Sequence, residues 1–142
     1  MKIRVVIDTN VFISALLFEG IVAQLVPLWK QKSFQYLLSK SVMSEYLRVL
    51  SYPKFKLTEA EIKYLLEEEL LPFVEIVEER KVKVPSLEDP DDEKFLQLAT
   101  LGKAQYLVSG DNVLLKLRNF KQCQILNPIQ FLKLMNPSQN LL

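Results

Sequence analysis

The sequence predicts an α/β fold, a parallel sheet buried between two layers of helices. Short β-branched apolar runs alternate with amphipathic stretches of helical spacing along the whole chain. The 142 residues are 49% hydrophobic, enough to bury a sizeable core. A mean hydropathy of +0.11 suits a sheet covered on both faces. With only three glycines and no low-complexity stretch, neither linker nor repeat is expected, and residues 1–142 are read as one domain.

The elements follow in order. "KIRVVI" is a β-branched run closed by Asp8, so a strand is expected over 3–7. "NVFISALLFEG" reads as a short helix with Gly20 as its C-cap. "IVAQLVPLWKQKS" is amphipathic, and Pro27 should start or kink a helix there. "FQYLLS" is a second strand, and "SVMSEYLRVLSY" a helix stopped by Pro53. In "LTEAEIKYLLEEELL", Thr58 and Glu61 form a capping box. "FVEIVE" alternates as a third strand and "KVKVPSLEDP" is a connector. "PDDEKFLQLATLG" is a helix with Asp89 at N-cap, Pro90 at N1 and Gly102 at its end. "QYLVS" is a fourth strand ended by "GD", "NVLLKLR" a short helix and "QCQIL" a fifth strand. "NPIQFLKLM" closes the pattern, with Asn127 as cap and Pro128 at N1.

Composition removes whole classes of chemistry. The chain has no histidine, which excludes Ser-His-Asp and Cys-His hydrolase machinery and nearly every zinc site. Its one cysteine, Cys123, excludes an internal disulfide framework and reads as a small core residue. No apolar run is long enough to span a bilayer, and "IRVVI" is too short for a signal sequence, so a cytoplasmic protein is expected. The net charge of +1 neither demands nor forbids a nucleic-acid partner. Carboxylates remain, and carboxylates without histidine suit hard ions such as Mg²⁺ or Mn²⁺.

Open α/β sheets bind ligands beyond the carboxyl ends of their strands, and two strands here end in an acid, Asp8 and Asp111. Turn or cap chemistry is the plain alternative for each. In the helix after Pro90, Phe95, Leu96 and Ala99 lie at i+3, i+4 and i+7 from Asp92. That spacing sets Asp92 in the middle of the sheet-facing side, where a lone carboxylate is costly without a counter-charge. Asp91 lies at the edge of that face and is the second choice. Glu45 stands at the border of its helix's apolar stripe, as a site residue or as a solvated partner of Arg48. The runs Glu67–Glu69 and Glu78–Glu79 read as solvated surface, and Trp29 as core or a dimer contact. Four acids on one cleft call for a cation, and the matching chemistry is metal-assisted phosphodiester hydrolysis.

These segments resemble the PIN-domain family. "VVIDTNVFISAL" resembles its first motif, "SVMSEYLRVL" its second, and "DPDDEKFLQLA" with "YLVSGDNVLL" its third and fourth. The likeness covers residues 3–134 and is nearest to the VapC-like toxins of toxin–antitoxin systems. It implies a five-stranded parallel sheet ordered 3-2-1-4-5 in a three-layer α/β/α arrangement, and a Mg²⁺- or Mn²⁺-dependent ribonuclease. Asp8, Glu45, Asp92 and Asp111 would be catalytic metal ligands, with Asp91 the alternative third acid and Asn10 and Ser109 supporting the site. The alternatives for these two are a helix cap and a strand-end polar residue. The implied partners are single-stranded or structured RNA, an antitoxin protein and a second copy of the chain. Arg48, Lys54, Lys56 and Lys116 flank the site as candidate RNA contacts.

Other readings fit less well. A haloacid-dehalogenase site wants an acid where Asn10 stands, and a receiver wants a lysine after the fifth strand, where "QCQILNP" has none. A catalytically silent PIN-like binding module is the remaining alternative.

Overall fold

The computed structural model describes residues 2–137. Six strands form one sheet: β1 (Arg4–Ile7), β2 (Gln35–Leu38), β3 (Val74–Ile76), β4 (Tyr106–Val108), β5 (Asn119–Phe120) and β6 (Cys123–Leu126). Their order is β3-β2-β1-β4-β6-β5, and every pairing is parallel except β5 with β6. The expected 3-2-1-4-5 order is therefore present as 3-2-1-4-6, with one strand more than expected. The extra strand is a two-residue arm that turns back through Lys121, at φ 55°, onto β6. "NFKQCQIL" lacks the Asn-Gly type of turn signal that marks a hairpin in sequence.

Among the described residues seven α-helices accompany the strands: α1 (Thr9–Leu17), α2 (Leu25–Lys30), α3 (Lys40–Leu50), α4 (Glu59–Glu69), α5 (Glu93–Leu101), α6 (Asn112–Leu117) and, after the last strand, α7 (Pro128–Met135). The capping boxes of Thr58 with Glu61 and Asn127 with Gln130 are both formed. Two expected caps stand corrected. α1 ends at Leu17 with Phe18 as its C-cap, and Gly20 instead uses φ 127° to enter a 3₁₀ turn over Ile21–Gln24. Asp89 caps a 3₁₀ turn, Pro90–Asp92, and the α-helix begins only at Glu93.

The core is laid down by the strands. Val5, Val6, Ile7, Leu37, Leu38, Leu107 and Val108 have no exposed surface, as expected of parallel strands covered on both faces. Trp29 is fully buried, donating its indole N–H to the carbonyl of Glu69 at 2.9 Å, and Cys123 is buried as a small core residue. Tyr46 of α3 lies flat on Phe12 of α1, ring centroids 3.9 Å apart. Its hydroxyl donates to the carbonyl of Ile7 at 2.6 Å. This bond pins α3 to the end of β1, and with it the neighbouring residue Glu45. Of the acidic runs expected in solvent, Glu69 pairs with Lys30 and Glu79 accepts the amide of Ser41.

Candidate active site

β1 and β4 are neighbours in register, Ile7 opposite Val108, so the residues just beyond them, Asp8 and Ser109, lie side by side. This is also where the sheet order reverses, the point at which open α/β folds place their ligands. Asp8 is 4% exposed. One carboxylate oxygen caps α1 by accepting the Val11 amide at 2.9 Å. The other accepts the Ser109 hydroxyl and, at 3.2 Å, the Gly110 amide. Burial pushes the Asp8 carboxyl up to about 6, with these three donors pulling the other way. The plain reading of Asp8 as a cap is met by one oxygen, and the other is engaged by Ser109 and Gly110 at the edge of the cleft. Asn10 is not the cap, and lies exposed at the mouth of the cleft.

Ser109, fully buried, joins two acids. Its hydroxyl O–H donates to Asp8, and its oxygen accepts the amide of Asp111 at 2.9 Å. Asp111 caps α6 through the Val113 amide at 2.7 Å. Facing it is Asp92, at the junction of the 3₁₀ turn and α5. Among the described residues, Oδ2 of Asp92 is the buried side-chain polar atom with no hydrogen-bond partner. Burial first, then the neighbouring carboxylates of Asp111, Asp89 and Asp8, push its carboxyl up to about 7. The sequence expectation that Asp92 rather than Asp91 faces inward matches this placement. Asp91 is exposed and turns toward Arg48 and Lys94, 3.8 Å from each.

Glu45 is held differently. One oxygen accepts the hydroxyl of Thr9, and the other lies 2.7 Å from Nζ of Lys94 and 3.3 Å from Arg48. The expected Glu45–Arg48 pair is present, but the shorter contact is to Lys94, which is largely buried. Lys94 is a residue that sequence reading missed, whereas Thr9 reads there, with Asn10, as a polar turn into the first helix. The available signal for Lys94 was its place three residues after Asp91, one turn further along.

All of this opens on one cleft of about 270 Å³, lined by Asp8, Asn10, Glu45, Arg48, Lys54, Asp89, Asp91, Asp92 and Asp111, among others. Ser109 sits beneath it. Of the four expected RNA-contacting cations, Arg48 and Lys54 line this cleft, whereas Lys56 and Lys116 are exposed outside it.

The PIN domain family matches residues 4–113, the span from β1 into α6. This chain belongs to the PIN-domain family. Uncharacterized protein MJ1680 of Methanocaldococcus jannaschii is 32% identical over 147 residues, covering 98% of this chain and 90% of that protein. PIN domains are generally nucleases and generally use divalent metal ions.

Whether this PIN domain's residues suit such an ion can be judged from the donors. They are all carboxylate oxygens, the ligands that Mg²⁺ and Mn²⁺ prefer. Asp92 presents an oxygen without a donor, and burial first, then neighbouring carboxylates, set two of the acids, Asp8 and Asp92, against ionisation. The chemistry of the set fits. Among the described residues, however, no three acids are grouped closely enough to enclose one ion as they stand. Lys94 supplies part of the missing positive charge on the Glu45 side.

Proposed function

We propose that this PIN domain is a metal-dependent endoribonuclease that hydrolyses RNA phosphodiester bonds. The observation that carries the reading is the orphaned Asp92 oxygen facing Asp111 in a cleft that Asp8 and Glu45 also line. Asp8, Asp92 and Asp111 would hold Mg²⁺ or Mn²⁺, with Glu45 as the fourth ligand once it leaves Lys94. A bound divalent ion acidifies water toward neutrality and stabilises charge on a phosphoryl oxygen. The chain's own part is positioning. Ser109 and the Gly110 amide fix the Asp8 carboxylate, the Val113 amide fixes Asp111, and Arg48 and Lys54 offer charge to the RNA backbone.

The finer reading makes the enzyme a cytoplasmic, dimeric VapC-like toxin kept silent by an antitoxin. The likeness of its four acidic motifs supports this, and a neighbouring small gene whose product abolishes cleavage would test it. Among the described residues no single helix is long and apolar enough to cross a membrane. One observation favours a second reading, a silent RNA- or protein-binding module: Lys94 and Arg48 already neutralise Glu45 without a metal.

The deciding experiment is cleavage of a mixed RNA pool by the native protein and Asp8→Asn, with Mn²⁺ or with EDTA. Cleavage by the native protein in Mn²⁺ alone supports the nuclease. Activity that survives EDTA or Asp8→Asn sinks it, and RNA binding without cleavage under any condition leaves the silent module.

A further inference from the structure

A second groove, of about 550 Å³, adjoins the acidic cleft and shares three of its lining residues, Asn10, Lys54 and Phe55. It runs between α1 and the turn at 53–57, with Ser14 and Phe18 on the α1 side. Phe18 is 55% exposed, so one edge of the groove is an open aromatic ring. It stands 6.2 Å from the half-buried ring of Phe55, tilted by 59°. Over the Phe55 ring lies Nζ of Lys54, 5.1 Å from its centroid. Aromatic faces, a cation and two small polar side chains are thus gathered beside a candidate phosphodiesterase cleft.

We propose that this groove is a stacking subsite for one unpaired nucleobase of the RNA strand whose phosphate lies in the acidic cleft. The inference rests on the nuclease reading and adds the place where one base of that substrate would be held. An unpaired base offers its π-face to Phe18 and Phe55, and aromatic stacking of this kind is tolerant of sequence. Asn10 and Ser14 can donate to or accept from the base edge, which a paired base would not present. Lys54 faces both spaces and can meet the phosphate between them, while its contact with Phe55 holds it clear of the carboxylates. A protein segment would also cover apolar surface. The shared Lys54, with the metal ion proposed for the adjoining cleft, favours a phosphodiester strand that threads both.

The test uses the full chain in Ca²⁺, with the strands checked to be uncleaved, and short RNA strands carrying 2-aminopurine at each position in turn, whose fluorescence falls on stacking. Quenching is expected with the native protein at one position of the strand and not with the same strand in a duplex. Phe18→Ala, at an exposed site, should weaken binding about tenfold and remove the quenching, and Phe18→Trp should restore both. In Mn²⁺, Phe18→Ala should raise KM for RNA with kcat little changed. Equal quenching and affinity for Phe18→Ala and the native protein overturn the subsite even if both cleave RNA. A shift only in oligomeric state on sedimentation, with RNA binding unmoved, also overturns it, in favour of a protein contact. Phe18-dependent quenching in a protein that never cleaves would uphold the subsite while removing the nuclease reading.

Discussion

Nζ of Lys94 lies 2.7 Å from Oε1 of Glu45, so one of the four acids in the cleft already carries a positive partner. The two side chains come from α3 and α5 and are largely buried where they meet. Removing one partner of such a pair leaves an uncompensated charge, softened here by Arg48 at 3.3 Å. Lys94→Met should therefore destabilise the metal-free protein at pH 7 by about 1–2 kcal/mol. Mn²⁺ should return more stability to the variant than it gives the native protein. Urea unfolding in EDTA and in Mn²⁺ measures both.

Asp92 has the opposite problem, a surplus of negative neighbours. Asp92→Asn removes the charge that burial and Asp111 disfavour, so it should stabilise the metal-free protein at pH 8 by about 1 kcal/mol, or roughly 2–4 °C in Tm. The same change should abolish Mn²⁺-dependent RNA cleavage. A variant that is both less stable and fully active would contradict the place given to Asp92.

The pH dependence has a definite sign. Asp8 and Asp92 are raised from 3.8 to about 6 and about 7, so between pH 4 and 7 the folded state holds protons that the unfolded chain has lost. Stability from these groups is complete below pH 4 and drains away as pH rises through 6 and 7. For Asp8 the loss is on the order of 2–3 kcal/mol, at about 1.4 kcal/mol per pKa unit. Glu75, lowered by its ion pair with Arg4, acts the other way, but only under more acid conditions. Urea titrations in EDTA at pH 5 and pH 8 should show the native protein weaker at pH 8. Asp8→Asn should flatten that difference.

Ser109 ties the two strand-end acids together. Ser109→Ala removes a donor to Asp8 and the acceptor of the Asp111 amide, both in a fully buried place. A cost of about 1–3 kcal/mol is expected. Without the hydroxyl, the Asp8 carboxyl should titrate at still higher pH. The acid limb of the cleavage–pH profile should then move upward, a change that loss of stability alone would not cause.

The alternation of apolar runs carried the strands themselves, because buried parallel strands write themselves as β-branched runs, whereas their order β3-β2-β1-β4 came only from the likeness to the PIN family. The sixth strand did not show, since two residues paired through a lysine-containing turn leave no periodicity. Asp92 was legible from helical spacing despite the α-helix starting one turn late, because a 3₁₀ turn rotates the chain by a similar amount. Lys94 was not, as its partner lies 49 residues away on another helix.

Sequence by itself determined which residues end the core strands in charge and that no histidine could share their work. It also determined that, the buried Cys123 apart, side-chain oxygens are the metal donors this chain can offer. Tertiary structure decided which acids are short of positive charge. That property depends on burial and on neighbours from other elements: Ser109 and Gly110 for Asp8, Asp111 for Asp92, Thr9 and Lys94 for Glu45. It also decided that Phe18 and Phe55, 37 positions apart in the chain, stand as one aromatic wall beside the carboxylates.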